Sequence, residues 1–558
     1  MRRPTPSGCI GRRLVWLLDL DVGGQTLRYA AEALEAPGPD GTTLAYSAGL
    51  VAPDYVDEAG DVGASIQPRS ASVSILFEAG EFQAHRALTR GADLNGSRAI
   101  LRLWVEDSAQ YAVWLDGVAV SPEFGGPDEP VDLTISEAME DDAGTIPATP
   151  TSRVSVATWS SYATRADGAW YPRVYGHPGG IFNGSSHRQA SPALLVDTIG
   201  DGASVGSRAL ISELIAAADG PVRLKDITTG AQEDCGVVQE LDAAGNLVSL
   251  CQLATVGAIM THADYDPESA ELWVSWWAGS GAGNRNGVDG LQGCGEILCH
   301  ALGASTLRID WGRVRAVAAW LDSLAVDVVI SVSEPVSPWQ WVSTALLPLQ
   351  PLGAALGPDG VYLVRWRDDA IPADAEYAVV ASCWDPENGT FVQGTAERLD
   401  RMSASDPTEL RNDITLRYQY VGHDARYMGR MRATGDPVAE EADSLASLNR
   451  WCHVSRTRYR VRGQPVTRAE EQRADAVWDD ATAAAVLAEI VRRLALPYLT
   501  VSYRVGPDAA HLSPGSVVTV EDAEVGINGI VAIVKRMTWR ADGMIDLGLR
   551  WRALPTAG

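Results

Sequence analysis

The chain has 558 residues, 46% of them hydrophobic, and a formal net charge of −27. A chain of this length exceeds what a single core organises, so several domains are expected. The acidic balance argues against a phosphate-binding groove, which needs Lys and Arg, and no apolar run reaches the roughly 18 residues of a membrane-spanning helix. The basic start, Met1-Arg2-Arg3, leads only to the short apolar stretch Leu14–Leu18 before Asp19 and Asp21 interrupt it, so a classical secretion signal is not expected. Lys occurs only at 225 and 535, and the seven cysteines are scattered and odd in number, which reads as reduced, mostly buried thiols and not a disulfide framework.

Residues 14–140 read as all-β. Strands are expected at Leu14–Leu20, Leu44–Leu50, Val73–Phe77, Ala99–Glu106, Gln110–Val120 and Val131–Ser136. Asp107-Ser108 marks a hairpin, and Asp116-Gly117 a turn or bulge inside the next strand. Glu137–Arg153, acidic and then Pro- and Thr-rich, reads as a linker or domain boundary. Residues 154–275 return to strand, with Cys235–Leu241 and Leu247–Leu253 joined by the hairpin loop Asp242–Asn246. The Gly-rich 278–287 is loop by composition.

Residues 290–348 change character. Ile297, Leu298, Ala301 and Leu302 have helical spacing. A second helix is expected after Ile309, with Asp310 as N-cap, and a third after Ser337 with Pro338 in its first turn. Leu356–Trp366, Tyr377–Ser382 and Ile414–Tyr420 read as strands and Glu440–Arg450 as a short helix. Arg456, Arg458, Arg460 and Arg462 alternate with Thr457, Tyr459 and Val461, which predicts an arginine-bearing strand face, read first as an interface pairing with acids and second as a phosphate-binding edge.

From Asp475 to Arg552 an amphipathic helix feeds a patterned β unit. Tyr498–Val505 alternates, Leu512-Ser513-Pro514-Gly515 turns, and Val517, Val518 and Val520 form an apolar run. Ile530–Trp539 and Ile545–Trp551 flank Asp542-Gly543, a strong hairpin signal. Ile545, Leu547, Leu549 and Trp551 share one face of the closing strand.

No catalytic, cofactor-binding or metal-binding residue is assigned. Cys294 and Cys299 precede His300, but positions five apart on a helix sit about 140° from one another and do not converge on an ion. Cys235 and Cys251 lie in the two arms of one hairpin but not opposite each other. A four-cysteine cluster drawn from several domains, iron-sulfur included, is left open. His177, His187 and His262 with Ser185 and Ser186 lack a nucleophile elbow, and the Gly-rich loop lacks the Lys-Ser/Thr of a phosphate loop. Asp141-Asp142, Asp368-Asp369 and Glu440-Glu441 are adjacent acids in polar runs, unlike the spaced pair of a glycosidase. The 18 Trp against 5 Phe stand out, with Trp273, Trp276, Trp277, Trp339 and Trp341 as candidate sugar-stacking platforms or as core and interface anchors.

Two stretches resemble hub proteins of phage tail tips and baseplates, similar in fold to hub modules of type VI spike proteins and gene transfer agents. The first runs through Gly293–Leu298, Ile309-Asp310-Trp311, Ile330–Trp341 and Asp359–Leu363, and resembles the insert between hub barrels. The second, Leu512–Val518, Asp542-Gly543 and the closing strand, resembles the second barrel. Tyr171–Gly176 is a weaker echo. The N-terminal region, Cys9 and the Trp clusters have no counterpart in the resemblance.

The fold class expected is mainly β with small α+β inserts, multidomain, with β-barrel or sandwich hub domains. Its parts are 1–150, an N-terminal barrel or sandwich; 151–289, a second β-rich domain; 290–400, the insert; and 401–558, a helix plus barrel. The resemblance implies a non-enzymatic virion protein made in the host bacterial cytoplasm. It forms a homotrimeric ring, contacts distal tail and tube proteins, the tape-measure protein and a central fibre or spike, and lets DNA pass without stable nucleic-acid binding. No cofactor is implied. The alternative is a carbohydrate-binding tail adhesin or glycan hydrolase.

Overall fold

The computed structural model describes residues 13–38, 41–51, 55–59, 61–62, 69–76, 94–106, 111–124, 129–137, 142–146, 151–176, 191–196, 205–213, 222–276, 291, 293–324, 328–357, 359–368, 370–385, 388–421, 425–435, 446–460, 463–540 and 543–552. The chain is predominantly β, in several sheets with small helical parts, as the alternating patterns predict.

The N-terminal sheet runs Gln25–Ala30, Leu14–Val22, Arg98–Val105, Tyr111–Phe124, Val131–Ser136, Ser70–Ile75, each antiparallel to the next. It closes through Gly49, whose N–H donates to Ala30 O (3.0 Å) while Leu76 N donates to Gly49 O (2.7 Å). Alternation in these strands turns Leu18, Leu20, Leu101, Leu103, Leu133 and Ile135 inward. The irregularity expected at Asp116-Gly117 sits on either side of it, between Val113 and Leu115 and between Val120 and Glu123, where Ser121 takes a φ of 51°.

Residues 191–276 form a second closed barrel of six antiparallel strands, in the order Ser191–Val196, Val205–Ser212, Leu247–Ala254, Gln232–Leu241, Val222–Asp226, Leu272–Trp276 and back to the first. Asp242 organises its hairpin loop, accepting from Asn246 N (2.8 Å), Ala244 N (2.9 Å) and Tyr171 OH (2.7 Å).

The third barrel is C-terminal. Tyr377–Val380 lies parallel to Val517–Asp522, followed by Ile527–Arg540, Ile545–Arg552, Tyr498–Val505 and Ala396–Arg398, and a parallel bridge from Ala396 to Ala381 closes the ring. Gly543, at φ 79°, supplies the left-handed residue of the last hairpin. Strands on either side of residue 400, Tyr377–Val380 and Tyr498–Val505, thus belong to this one barrel.

The α+β part is built from two stretches. The helices Cys294–Leu302, Trp311–Ser323 and Pro338–Trp341 and the hairpin Leu352–Gly357/Gly360–Arg365 share one core with the sheet Arg426–Thr434/Asp413–Val421/Ala469–Arg473 and the helices Ala446–Arg458 and Asp480–Leu494. The expected caps are in place: Asp310 accepts from Arg313 N (3.2 Å) and Ser337 from Gln340 N (3.0 Å). Asp479 caps the last helix through Thr482 N (2.8 Å), and Val486, Leu487, Ile490 and Val491 form its buried stripe.

Two expectations are corrected. Arg456 and Arg458 end a helix, so the four arginines do not alternate on a strand; Leu448 and Cys452, four apart, anchor that helix in the core and override the local alternation. Nor are Glu137 and Ile146, in the stretch read as a linker or boundary, free of the fold. Glu137 is buried in a two-pronged ion pair with Arg69 (2.8 and 3.0 Å), and Ile146 pairs with Val336.

Candidate functional site

The N- and C-terminal barrels are fused. Ile527–Arg540 is 14 residues long. Its first part pairs with Val517–Asp522, and its end, Arg536–Arg540, pairs with Tyr55–Ala59 from the N-terminal region. Val56 also pairs with Ala71, and Asp61–Val62 pairs with Gly353–Ala354 of the α+β part. One short segment thus ties three units together. A single core runs through the fusion, from Leu18 and Leu101 to Leu547 and Leu549. At its middle stand Trp16, Trp114 and Trp539, edge to face, with centroids 4.5 Å apart for Trp114–Trp539 and 6.3 Å for the other two pairs. Edge-to-face packing matches the positive ring edge to the negative face. Part of the unusual tryptophan content is thereby structural.

The closing strand is both wall and joint. Ile545, Leu547, Leu549 and Trp551 face the core. On the other face Asp546 takes Arg504 and Arg540 at 2.9 Å each. Arg550 lies between the rings of Trp366 (3.8 Å) and Tyr498 (4.5 Å), and Arg552 pairs with Asp368 (3.1 Å). The outward half of this strand is therefore already occupied, by the α+β part of the same chain. Asp368 is a buried counter-ion here, not a solvated loop acid.

Between the N-terminal barrel and the helices lies a cleft of about 520 Å³ lined by Arg98, Asp116, Glu137, Thr306 and Arg308 among others. Its charges are matched: Arg98 pairs with Asp116 (2.8 Å) and Arg308 approaches Glu137 (3.5 Å). Asp142 seams the cleft's edge, accepting from the backbone N–H of Thr306 (2.9 Å) and Trp339 (2.9 Å) and of Gly144 (3.2 Å). Three backbone donors on one carboxylate are a structural clasp; the oxygens that acid–base work needs are taken.

The other sequence candidates disperse. Cys294 is fully buried, which pushes its thiol up to about 12, and burial also raises Cys299. His300 meets Tyr175 (3.2 Å from Nδ1 to the hydroxyl), and burial lowers its pKa. Cys251 stands opposite Val237, leaving Cys235 on the diagonal, and both thiols are free. Among the described residues no group of three His, Cys, Asp or Glu is arranged to hold a metal ion. Trp341 is core, stacked on Tyr175 at 5.3 Å, and Trp339 packs partly buried beside it, so these two form no exposed platform. Trp273 is half-buried, its indole N–H on Glu271 (3.2 Å). His177, Ser185, Ser186, His187, Trp277, the 278–287 loop, Asp141, Asp369, Glu440, Glu441, Arg462, Cys9 and the side chain of Trp276 lie outside the described residues. No described helix is long and apolar enough to cross a membrane.

The sequence signals did not single out the Trp384–Phe391 pair, exposed by 54% and 65% on the hairpin Cys383–Asp385/Thr390–Val392, although a Trp and a Phe flanking Pro-Glu-Asn-Gly is a legible hairpin.

Residues 375–541 match a family described as putative phage tail protein. The matched span begins at the first strand of the C-terminal barrel and includes the long strand that fuses it to the N-terminal one. That match gives this span a likeness to phage tail proteins, the class the sequence resemblance implies. Among solved structures, the chain is similar to a tail protein from Neisseria meningitidis (11% identity, 96% of each chain, TM-score 0.35). It is also similar to a 43 kDa prophage tail protein from Shewanella oneidensis (7% identity, 97% of this chain and 98% of that one, TM-score 0.37). A third is a chain of a native gene transfer agent particle (12% identity, 75% of this chain and 90% of that one, TM-score 0.35). No curated protein matches the sequence.

Proposed function

We propose that this chain is a phage tail protein, a non-enzymatic hub subunit at the tail tip or baseplate. Copies of it, three by the resemblance, form a ring that joins the tail tube to a central fibre or spike and surrounds the path of the leaving DNA. The observation that carries this reading is the fusion of two barrels through the Ile527–Arg540 strand and one continuous core, in the span that matches a phage tail family. A subunit under axial load needs barrels that cannot shift against each other, and a shared strand prevents such a shift without an interface that can dissociate. The assembly unit in this reading is the fused pair, with the 191–276 barrel and the α+β part attached to it. The charge of −27 suits a passage that must not hold polyanions.

The test is localisation and size together. Antibody labelling of virions viewed by electron microscopy is expected to mark the tail tip, and the purified chain to form trimers alone or with tail partners. Label along the tube or on the capsid, or tight glycan binding by a stable monomer, overturns the hub reading. Reversing several acids that line the ring to Lys should slow DNA ejection while particles still assemble; normal ejection removes the channel role.

A further inference from the structure

The three-stranded sheet of the α+β part has helices on one face only. Ile414, Leu416 and Tyr418 point into the core with them. The opposite face carries arginines in one row across all three strands, because Arg417 pairs in register with Arg430 on one side and Arg473 on the other. Arg426 and Arg432 extend the row along the edge strand, with exposed Met428 between them. Like charges directly opposite one another destabilise a sheet, so the row is a cost to the isolated chain. It is only partly offset: Glu471 pairs with Arg417 (2.9 Å) and Asp413 with Arg432 (2.7 Å), while Arg430 and Arg473 are exposed. Residues 411–473 hold twelve Arg against eight Asp and Glu in a chain whose net charge is −27.

The opposite excess sits in the 191–276 barrel. Residues 226–284 carry nine Asp and Glu and neither Lys nor Arg. Asp234, Glu240 and Asp264 reach its surface. Within the barrel Arg223 and Arg208 pair with Asp234 and Glu240, and within the sheet Arg417 and Arg432 pair with Glu471 and Asp413. Among the described residues, no ion pair joins the sheet to this barrel within one chain.

We infer that the arginine face of one copy docks on the acidic barrel of the next, a head-to-tail contact of the kind that closes a ring. The composition of the face favours a protein partner over nucleic acid. Arg and Met are among the residues enriched at protein interfaces and Lys is depleted there, and the face carries Met428 but no Lys. Its interspersed carboxylates, Asp413 and Glu471, would repel phosphates. The inference rests on the ring reading above and names one of its contacts.

Sedimentation velocity of the full chain at low and at high salt tests it. The variants are Arg417→Glu/Arg430→Glu/Arg473→Glu, Asp234→Arg/Glu240→Arg/Asp264→Arg, and both sets combined. Self-association at low salt is expected to weaken on the order of 10- to 100-fold in either triple variant, and to recover in the mixture of the two or in the combination. Circular dichroism matching wild type establishes that the variants are folded. Association that ignores both salt and the triple reversals overturns this contact and leaves the ring reading standing on other surfaces. A chain that stays monomeric at low salt overturns self-docking, and virion labelling then judges the hub reading separately. Binding of a 30-base-pair DNA duplex by wild type, lost in the arginine variant, overturns it in favour of nucleic acid.

Discussion

Replacing Trp539 with Ala should unseat both terminal barrels at once. Trp539 is 1% exposed and lies in the core that runs through both barrels, on the strand that pairs with each. Removing a buried Trp costs about 3–5 kcal/mol in transfer and cavity terms. Its two edge-to-face partners, Trp16 and Trp114, contribute roughly 0.5–1.5 kcal/mol per pair beyond area, though not additively. The buried indole N–H of Trp539 has no hydrogen-bond partner, which offsets part of the loss because an unsatisfied buried donor itself costs about 1–3 kcal/mol. A net destabilisation of about 4 kcal/mol follows, and Trp539→Phe, which keeps a ring and removes the orphan donor, should cost much less. The assay is limited proteolysis along a urea titration, with cleavage mapped by mass spectrometry. Peptides from 14–136 and from 498–552 should become sensitive together, at the same lowered urea concentration. Loss of protection in 498–552 while 14–136 stays resistant would refute a shared core. Trp384→Ala, at an exposed position, should leave both within about 0.5 kcal/mol of wild type.

Asp142→Ala strips three backbone N–H groups of their acceptor and should cost about 1–3 kcal/mol, seen as faster hydrogen exchange at Thr306 and Trp339 with no change at Leu547. Arg550→Lys keeps the charge but not the planar group between Trp366 and Tyr498, so a loss of about 1–2 kcal/mol is expected in urea unfolding; an unchanged midpoint would show that the stack contributes nothing. His300 is held neutral by burial, its pKa lowered from 6.5. Its contribution to stability is therefore complete above the unfolded value and is lost as pH falls below it, when the unfolded chain takes up a proton that the folded chain resists. His300→Gln should flatten the thermal-stability profile between about pH 7 and 5, and a parallel slope in wild type and variant would exclude His300 as the source.

Local order was legible where local chemistry decides it. The Asp310 and Ser337 caps, the Asp242–Asn246 loop, the Asp542-Gly543 hairpin and the inward alternation of Ile545–Trp551 all follow from neighbours within a few residues. What the sequence hid was partnership. Tyr377–Val380 reads as a strand but nothing in its pattern says that it completes a barrel with residues 498–552. Residues 414–495 pack with 294–363 and not with the barrel they precede, because the apolar faces of both sets are generic and only the fold matches them. The arginine row was unreadable for the same reason: Arg417, Arg430 and Arg473 are far apart in sequence and meet only through register. Arg456–Arg462 looked like such a row because helix and strand patterns are ambiguous in a short polar stretch.

The pairing of Tyr55–Ala59 with Arg536–Arg540 has a consequence for biosynthesis. These strands lie about 480 residues apart, so the N-terminal half emerges from the ribosome with its docking partner not yet made. The 191–276 barrel contains all its strands in one contiguous stretch and can fold early. The fused pair must wait, at a steep loop-closure cost, until residues 527–552 are translated. For that interval the edge at residues 55–59 stays open, ready to pair with a neighbouring nascent chain. Truncations that remove only residues 527–552 should therefore send the protein to inclusion bodies, while the isolated 151–276 segment stays soluble.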